Sequence, residues 1–295
     1  MTESFAHDRT TAVGREVAIR EVAVSVGDAS IRTRLYTPAG APSTAALLWM
    51  HGGGFSGGSI DMPEGDAVSR AFARAGVAVL SVDYRRVPPL SRVRRWRGAP
   101  AVRFPVPVLD CLAAWRRLVE EAEPLGLKAG QIFAGGASAG ANLAVMSTLR
   151  AASAGAPVPA GLLLAYPLLH PVLPARPTER ARGLRARFLG RVAQRSVRMM
   201  AANFVGAANT SRVAGAFPAR EDLDGFPPTL IVTGEHDSLR ASGEAFADDL
   251  RPRGVEADCQ MEVGVRHGHL NHPDSVPFAH TMSVFTTWLS VHAGV

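Results

Sequence analysis

Residues 131–152 read "QIFAGG" followed at once by "ASAGANLAVMSTLRAA", a short apolar strand running through glycine into a helix of small residues. A strand joined to a helix with no intervening loop forces a sharp turn, and Ser138 stands at that turn with glycine two positions to either side. A Cβ at Gly136 or Gly140 would collide with neighbouring backbone, so the spacing G-x-S-x-G is what a serine displayed on a strained strand-to-helix turn requires. The short motif arises by chance in chains rich in alanine and glycine, but here its strand–turn–helix context is present. Ser138 is therefore the candidate nucleophile. Two nucleotide-binding readings of the same glycines fail. A dinucleotide fingerprint needs glycine at Ala137, and a phosphate loop needs Gly-Lys-Ser/Thr at its end, absent here and at 52–58.

The other elements follow in an alternating order. Residues 17–25 and 30–36 alternate apolar and polar around "GDAS" and read as a hairpin. Strand 45–50, helix 65–75 and the β-branched strand 76–84 come next, then a proline- and arginine-rich stretch at 86–105 and a helix at 106–122. After the serine turn come strand 160–166, an irregular stretch at 171–222, strand 227–235, helix 241–252, a strand near 256–263 and a helix at 275–292. Strands alternating with helices predict an α/β fold with a mostly parallel central sheet covered on both faces. No repeat or long linker divides residues 1–295, so one domain is expected, with 171–222 as an inserted helical lid over the carboxyl edge of the sheet.

Nucleophilic attack by serine on a carbonyl needs three further parts. The oxyanion that forms needs N–H donors already in place. The amide of Ala139, at the start of a helix, is one, because its N–H is free and the helix dipole favours negative charge there. The run "LLWMHGGGFSGGS" (47–59) supplies the others: Gly52, Gly53 and Gly54 let the main chain approach the substrate oxygen, with Gly53 and Gly54 as donors and His51 bracing the loop. The serine also needs a histidine base, and the histidine a carboxylate that fixes its tautomer, in the chain order serine, acid, histidine. Asp237 follows the strand "LIVTG" and precedes a helix, so it is preferred over Glu235 and His236, although it could serve only as a helix cap. "GVRHGHLNH" then offers His267, His269 and His272; His267 follows the strand by the shorter path and precedes Gly268. These three histidines have no carboxylate or cysteine beside them at ligand spacing, so no metal is expected.

Composition narrows the remaining classes. The formal charge is +6, yet Lys128 is the only lysine, and the arginines are not interleaved with the aromatics of a single-strand binder. No nucleic-acid partner is expected. Arginines nonetheless cluster at Arg92, Arg94, Arg95 and Arg97, and eight lie between Arg176 and Arg198. A helix over 179–198 would set several of these on one face, with Leu184, Phe188 and Val192 on the other. No apolar run is long enough to span a membrane, and the polar N-terminus lacks a secretory signal. Cys111 and Cys259 make no disulfide framework and read as reduced, buried thiols of a cytoplasmic protein. A homodimer is compatible with the sequence.

Together the motifs resemble the hormone-sensitive-lipase-like branch of the α/β-hydrolases, the carboxylesterase and lipase group. The matching segments are His51-Gly-Gly-Gly-Phe55, "SVDYR" (81–85), "FPVPVLD" (104–110), "GGASAGANLA" (135–144), "FPPTLIVTGEHDSL" (226–239) and "HGHL" (267–270). The resemblance implies a triad of Ser138, Asp237 and His267 and an oxyanion hole of Gly53, Gly54 and Ala139. It also implies hydrolysis of short- to medium-chain esters through an acyl-enzyme, without cofactor or metal. A formamidase or amide deacylase with the same triad, or a ligand-binding protein on the same scaffold, are the alternatives. The chain departs from the family in having Ala137 where an acidic residue is usual, Ala141 where glycine is frequent, and a short segment before His51. The lid is then expected to come largely from 171–222.

Overall fold

The computed structural model describes residues 16–89, 102–175, 184–207, 210 and 213–295, without the side chains of 184–187 and 220. Eight strands form one sheet in the order β1-β2-β4-β3-β5-β6-β7-β8. They are β1 (Val17–Val26), β2 (Ala29–Pro38), β3 (Ala45–Met50), β4 (Val77–Asp83), β5 (Ile132–Ala137), β6 (Leu162–Ala165), β7 (Thr229–Gly234) and β8 (Ala257–Glu262). The hairpin β1–β2 joins β4 antiparallel, and every pair from β4 across to β8 is parallel. This is the mostly parallel sheet that the alternating elements predict.

The helices are α1 (Asp66–Arg74), α2 (Val106–Ala122), α3 (Ala139–Ser153), α4 (Leu184–Val205), α5 (Arg240–Leu250) and α6 (Val276–Ala293). Strand β3 shows why the sheet must be covered on both faces. All six of its residues are buried, with Ala46, Leu48 and Met50 in a core shared with α2, α3 and α5, and Ala45, Leu47 and Trp49 in a core shared with α1 and α6. The period-two alternation of side chains divides one apolar run between two cores. Burying each of Leu47 and Leu48 fully stabilises the fold by about 2 kcal/mol relative to exposure.

Strand order fixes where a site can form. From β3 the chain moves to β4 on one side, then crosses back so that β5 pairs with β3 on the other. The crevice outside the carboxyl ends of β3 and β5 is therefore the switch point where ligands bind in open α/β sheets. "HGGG" leaves β3 and Ser138 leaves β5, so the topology brings both to that crevice.

Within 171–222 the described part of the expected helix runs Leu184–Val205, past the expected end, and the expected start lies outside the described residues. Its buried residues include Val197, Ala201 and Phe204, whereas Phe188 and Val192, expected on the face opposite the arginines, are exposed. The reason is where the helix meets the body of the protein. Its second half rests on the loop after β3, with Phe204 stacked on Phe55 at 4.0 Å, and its first half stands outside that contact. Arg92, Arg94, Arg95, Arg97, Arg176, Arg180 and Arg182 lie outside the described residues, as do the side chains of Arg185 and Arg187. Arg191, Arg195 and Arg198 are exposed. Cys111 is fully buried and Cys259 only partly so, a correction to the expectation of two buried thiols. Among the described residues, no helix is long and apolar enough to cross a membrane.

Candidate active site

Ser138 ends β5 with φ 54° and ψ −114°, a left-handed backbone that a non-glycine residue adopts only under strain. The turn is held by close backbone contacts that explain its glycines. A Cβ on Gly140 would lie 2.2 Å from the Met50 carbonyl oxygen, and one on Gly136 would lie 2.7 Å from the same atom. The elbow can thus lean directly against the end of β3.

The three residues predicted from the sequence stand in a hydrogen-bonded series. His267 Nε2 lies 3.0 Å from Ser138 Oγ, and His267 Nδ1 lies 2.8 Å from Asp237 Oδ2. Gly268, with φ 79°, turns the chain immediately after His267. Asp237 is buried, and its second oxygen, Oδ1, accepts the Leu239 amide at 2.7 Å. The capping role weighed from the sequence is not what the structure has: the N-cap of α5 is Leu239, with no side-chain cap bond, and Asp237 Oδ1 closes a local turn while Oδ2 meets the histidine. Glu235 turns elsewhere and accepts the Gly264 amide. Burial pushes His267 toward its neutral form, but the Asp237 hydrogen bond and charge, with Glu64 adding to them, outweigh it, so its pKa is raised above the usual 6.5.

The other histidines separate cleanly. His269 is buried, its Nε2 lies 2.8 Å from Thr281 Oγ1, and burial pushes its pKa down to about 4. His272 is exposed. Among the described residues, no group of three or more His, Cys, Asp or Glu side chains gathers to hold a metal ion.

Gly53 and Gly54 have φ 118° and 59°, and a Cβ on Gly53 would lie 2.3 Å from the Gly57 carbonyl oxygen. Only glycine fits that turn. Ala139 is the first residue of α3, and the amides of Gly53, Gly54 and Ala139 donate to no acceptor among the described residues. His51 is fully buried, bonds the Gly52 carbonyl through Nδ1 at 2.6 Å and stacks on Tyr84 at 4.5 Å, so it contacts the loop and not Ser138. The motifs "SVDYR" and "FPVPVLD" also meet, because the Arg85 guanidinium grips the buried Asp110 carboxylate at 2.6 Å.

A cavity of about 470 Å³ opens above Ser138 and His267, walled by Met62 and Leu239 and, from α4, by Val197 and Met200. Three groups behind or beside the triad had not been singled out from the sequence. Glu64 accepts the Gly52 amide at 2.6 Å, Tyr166 packs edge-on to the His267 ring at 4.9 Å, and Asn271 bonds Glu64. The arrangement can take a proton from a serine hydroxyl, hold the resulting imidazolium against a carboxylate, and offer unused amides to an oxyanion.

A sequence profile of the α/β-hydrolase fold matches residues 47–271. The chain belongs to the α/β-hydrolase family. It is 32% identical over 270 residues to the carboxylesterase NlhH of Mycobacterium tuberculosis, covering 90% of this chain and 79% of that one. The crystal structure of EstE1, a thermostable carboxylesterase cloned from a metagenomic library, superposes with a TM-score of 0.80 at 27% identity, covering 96% of this chain and 92% of that one. Brefeldin A esterase, a bacterial homologue of human hormone-sensitive lipase, shares the fold at 24% identity with a TM-score of 0.76, over 98% of this chain and 81% of its own. The resemblance read from the motifs thus holds at the level of family, and the enzyme class is that of the carboxylesterase-type hydrolases.

Proposed function

We propose that this hydrolase cleaves short- to medium-chain carboxylic esters through an acyl-enzyme on Ser138. The observation that carries this reading is the unbroken series from Ser138 Oγ through His267 to Asp237, at 3.0 Å and 2.8 Å, opening on a cavity. His267 takes the hydroxyl proton as Oγ attacks the ester carbonyl, and Asp237 holds the imidazolium in the required orientation. The negative charge moves to the carbonyl oxygen, which the amides of Gly53, Gly54 and Ala139 receive. His267 then returns the proton to the departing alkoxide, and water repeats the sequence on the acyl-enzyme to release the acid. Apolar walls from Met62, Leu239, Val197 and Met200 favour an aliphatic acyl chain over a charged one, and the 470 Å³ volume favours a short one. Helix α4 serves as the lid of a single domain, since it supplies one wall of the cavity.

The test is hydrolysis of p-nitrophenyl acyl esters of graded length against matched p-nitroanilides, with a fluorophosphonate label mapped by mass spectrometry. Esters should turn over, the label should sit on Ser138, and Ser138→Ala should lower kcat by roughly 10⁶ while leaving the fold intact. Label on another residue, or turnover retained by Ser138→Ala, overturns the assignment. Faster turnover of the anilides would make the enzyme an amidase.

A further inference from the structure

Glu64 takes no step in the reaction above, yet it is 2% exposed and borders the same cavity as Ser138 and His267. A buried carboxylate is costly unless its charge is met, and among the described residues no arginine or lysine pairs with this one. Hydrogen bonds meet it instead. Oε2 accepts the Gly52 amide at 2.6 Å; Oε1 accepts the Tyr166 hydroxyl and, at 3.2 Å, the Asn271 side-chain amide. Three donors and no acceptor converge on its two oxygens, the hydrogen-bond complement of a carboxylate anion.

Each donor belongs to a different part of the site. Gly52 is the root of the loop that carries Gly53 and Gly54. Tyr166 faces the His267 ring, and Asn271 also bonds the Gly268 carbonyl at 3.3 Å, in the turn that follows His267. Apolar packing of similar volume is often as stabilising as a buried ionic group, so stability alone is a weak account of this carboxylate. Resting on the ester-hydrolase reading, we propose that Glu64 is a positioning residue of the reaction: its carboxylate anchors the oxyanion loop to the His267 turn and electrostatically supports the imidazolium formed there.

The groups facing His267 make the second half of that statement specific. Asp237 touches Nδ1 from the loop after β7, and Glu64 adds its field from the loop before α1. Tyr166, at the end of β6, stays a protonated phenol because burial, then Glu64, pushes its pKa well up. His269, on the same turn as His267, stays neutral through burial. Both charged neighbours are therefore negative, and removing one makes His267 easier to deprotonate.

The experiment compares wild type, Glu64→Gln and Glu64→Asp, with kcat expressed per site titrated by fluorophosphonate. Glu64→Gln should lower kcat roughly 10- to 100-fold with KM little changed, somewhat less than loss of a whole oxyanion donor. Its acid limb of kcat/KM should move to lower pH. Glu64→Asp keeps the charge with a shorter reach, so it should lower kcat while leaving the limb in place. A Glu64→Gln enzyme with kcat within about twofold of wild type, or with an unmoved limb, overturns the proposal. Where Glu64→Gln does not accumulate, Glu64→Asp decides alone: reduced kcat per site supports the role, and wild-type kcat refutes it. An NMR titration of the His267 ring in the same proteins reads the electrostatic half without any substrate. A failure of the ester reading, seen as no wild-type turnover, is thereby distinguishable from a failure of this one.

Discussion

His269 provides a sharp test of how the two neighbouring histidines divide their roles. Its ring is 5% exposed and bonded to Thr281, and burial sets its pKa at about 4, against an ordinary value near 6.5 in the unfolded chain. Between those values the unfolded chain binds a proton that the native protein does not, so His269 contributes a stability that is lost as pH falls from 6.5 toward 4. For one group with these two values the loss between pH 8 and pH 5 is about 2 kcal/mol. His267 has the opposite sign. Its raised pKa favours the native state below 6.5, and that contribution disappears as pH rises through the folded value. Replacing His269 by Gln keeps a donor for Thr281 and removes the titration, while His267 and every other group cancel in the comparison. Urea unfolding followed by tryptophan fluorescence at pH 8 and pH 5 gives the result. The advantage of wild type over His269→Gln should shrink by about 2 kcal/mol at the lower pH, and a difference equal at both pH values would refute the reasoning.

Three further outcomes follow from the site. Asp237→Asn should fold, since asparagine can still accept the Leu239 amide, yet lose roughly 10⁴ in kcat because the His267 tautomer is no longer fixed; wild-type kcat would remove Asp237 from the triad. Met200 lies directly over Gly54, its Sδ 2.8 Å from where a Cβ would stand, so Met200→Ala should raise kcat/KM for octanoyl relative to acetyl esters, and an unchanged ratio would place the acyl chain elsewhere. The exposed Arg191 and Arg195 are not among the cavity walls, so their reversal to Glu should leave the salt dependence of neutral and carboxylate-bearing esters alike; a selective loss for the anionic ester would assign them to substrate capture.

What the sequence made legible was whatever depends on neighbours in the chain. The elbow at 136–140 is local, because Gly136 and Gly140 answer steric demands set within a few residues of Ser138. The alternating strands and helices are local too, and their predicted limits fall within a residue or two of the observed ones, as at 275–292 against Val276–Ala293. Which half of α4 is buried was not legible, for the converse reason. Which stripe of an arginine-rich helix packs inward is decided by Phe55 on a distant loop, not by the helix itself. Glu64 was hidden by its surroundings. In "DMPEGD" it precedes a helix, where an acidic residue reads as a favourable charge on the helix dipole. Tyr166 carried a usable signal, because it closes a buried strand at the carboxyl edge of a parallel sheet, where site residues collect.

The proposed oxyanion loop is consequently held from two directions by residues far apart in sequence. At its root, Glu64 fixes the Gly52 amide to the turn that carries His267. Beyond the donors, Phe55 takes a left-handed backbone, with φ 64°, and stacks on Phe204 of α4, while Met200 covers Gly54. The Asn203 side chain in turn donates to the Pro88 carbonyl and accepts from Arg103, which ties α4 to the segment between β4 and α2. Gly53 and Gly54 have no side chains of their own to set their direction, and glycine gives them wide conformational freedom. Their amides can be preorganised only by what clamps the residues on either side. Under the proposed function, the helix that walls the cavity also helps to aim the Gly53 and Gly54 amides, so changes at Phe204, whose ring packs on Phe55, Phe104 and Phe217, should lower kcat. Phe204→Leu keeps an apolar contact and loses the stack. It should lower kcat more than it raises KM, and an effect confined to KM would mean that the loop holds its geometry from Glu64 alone.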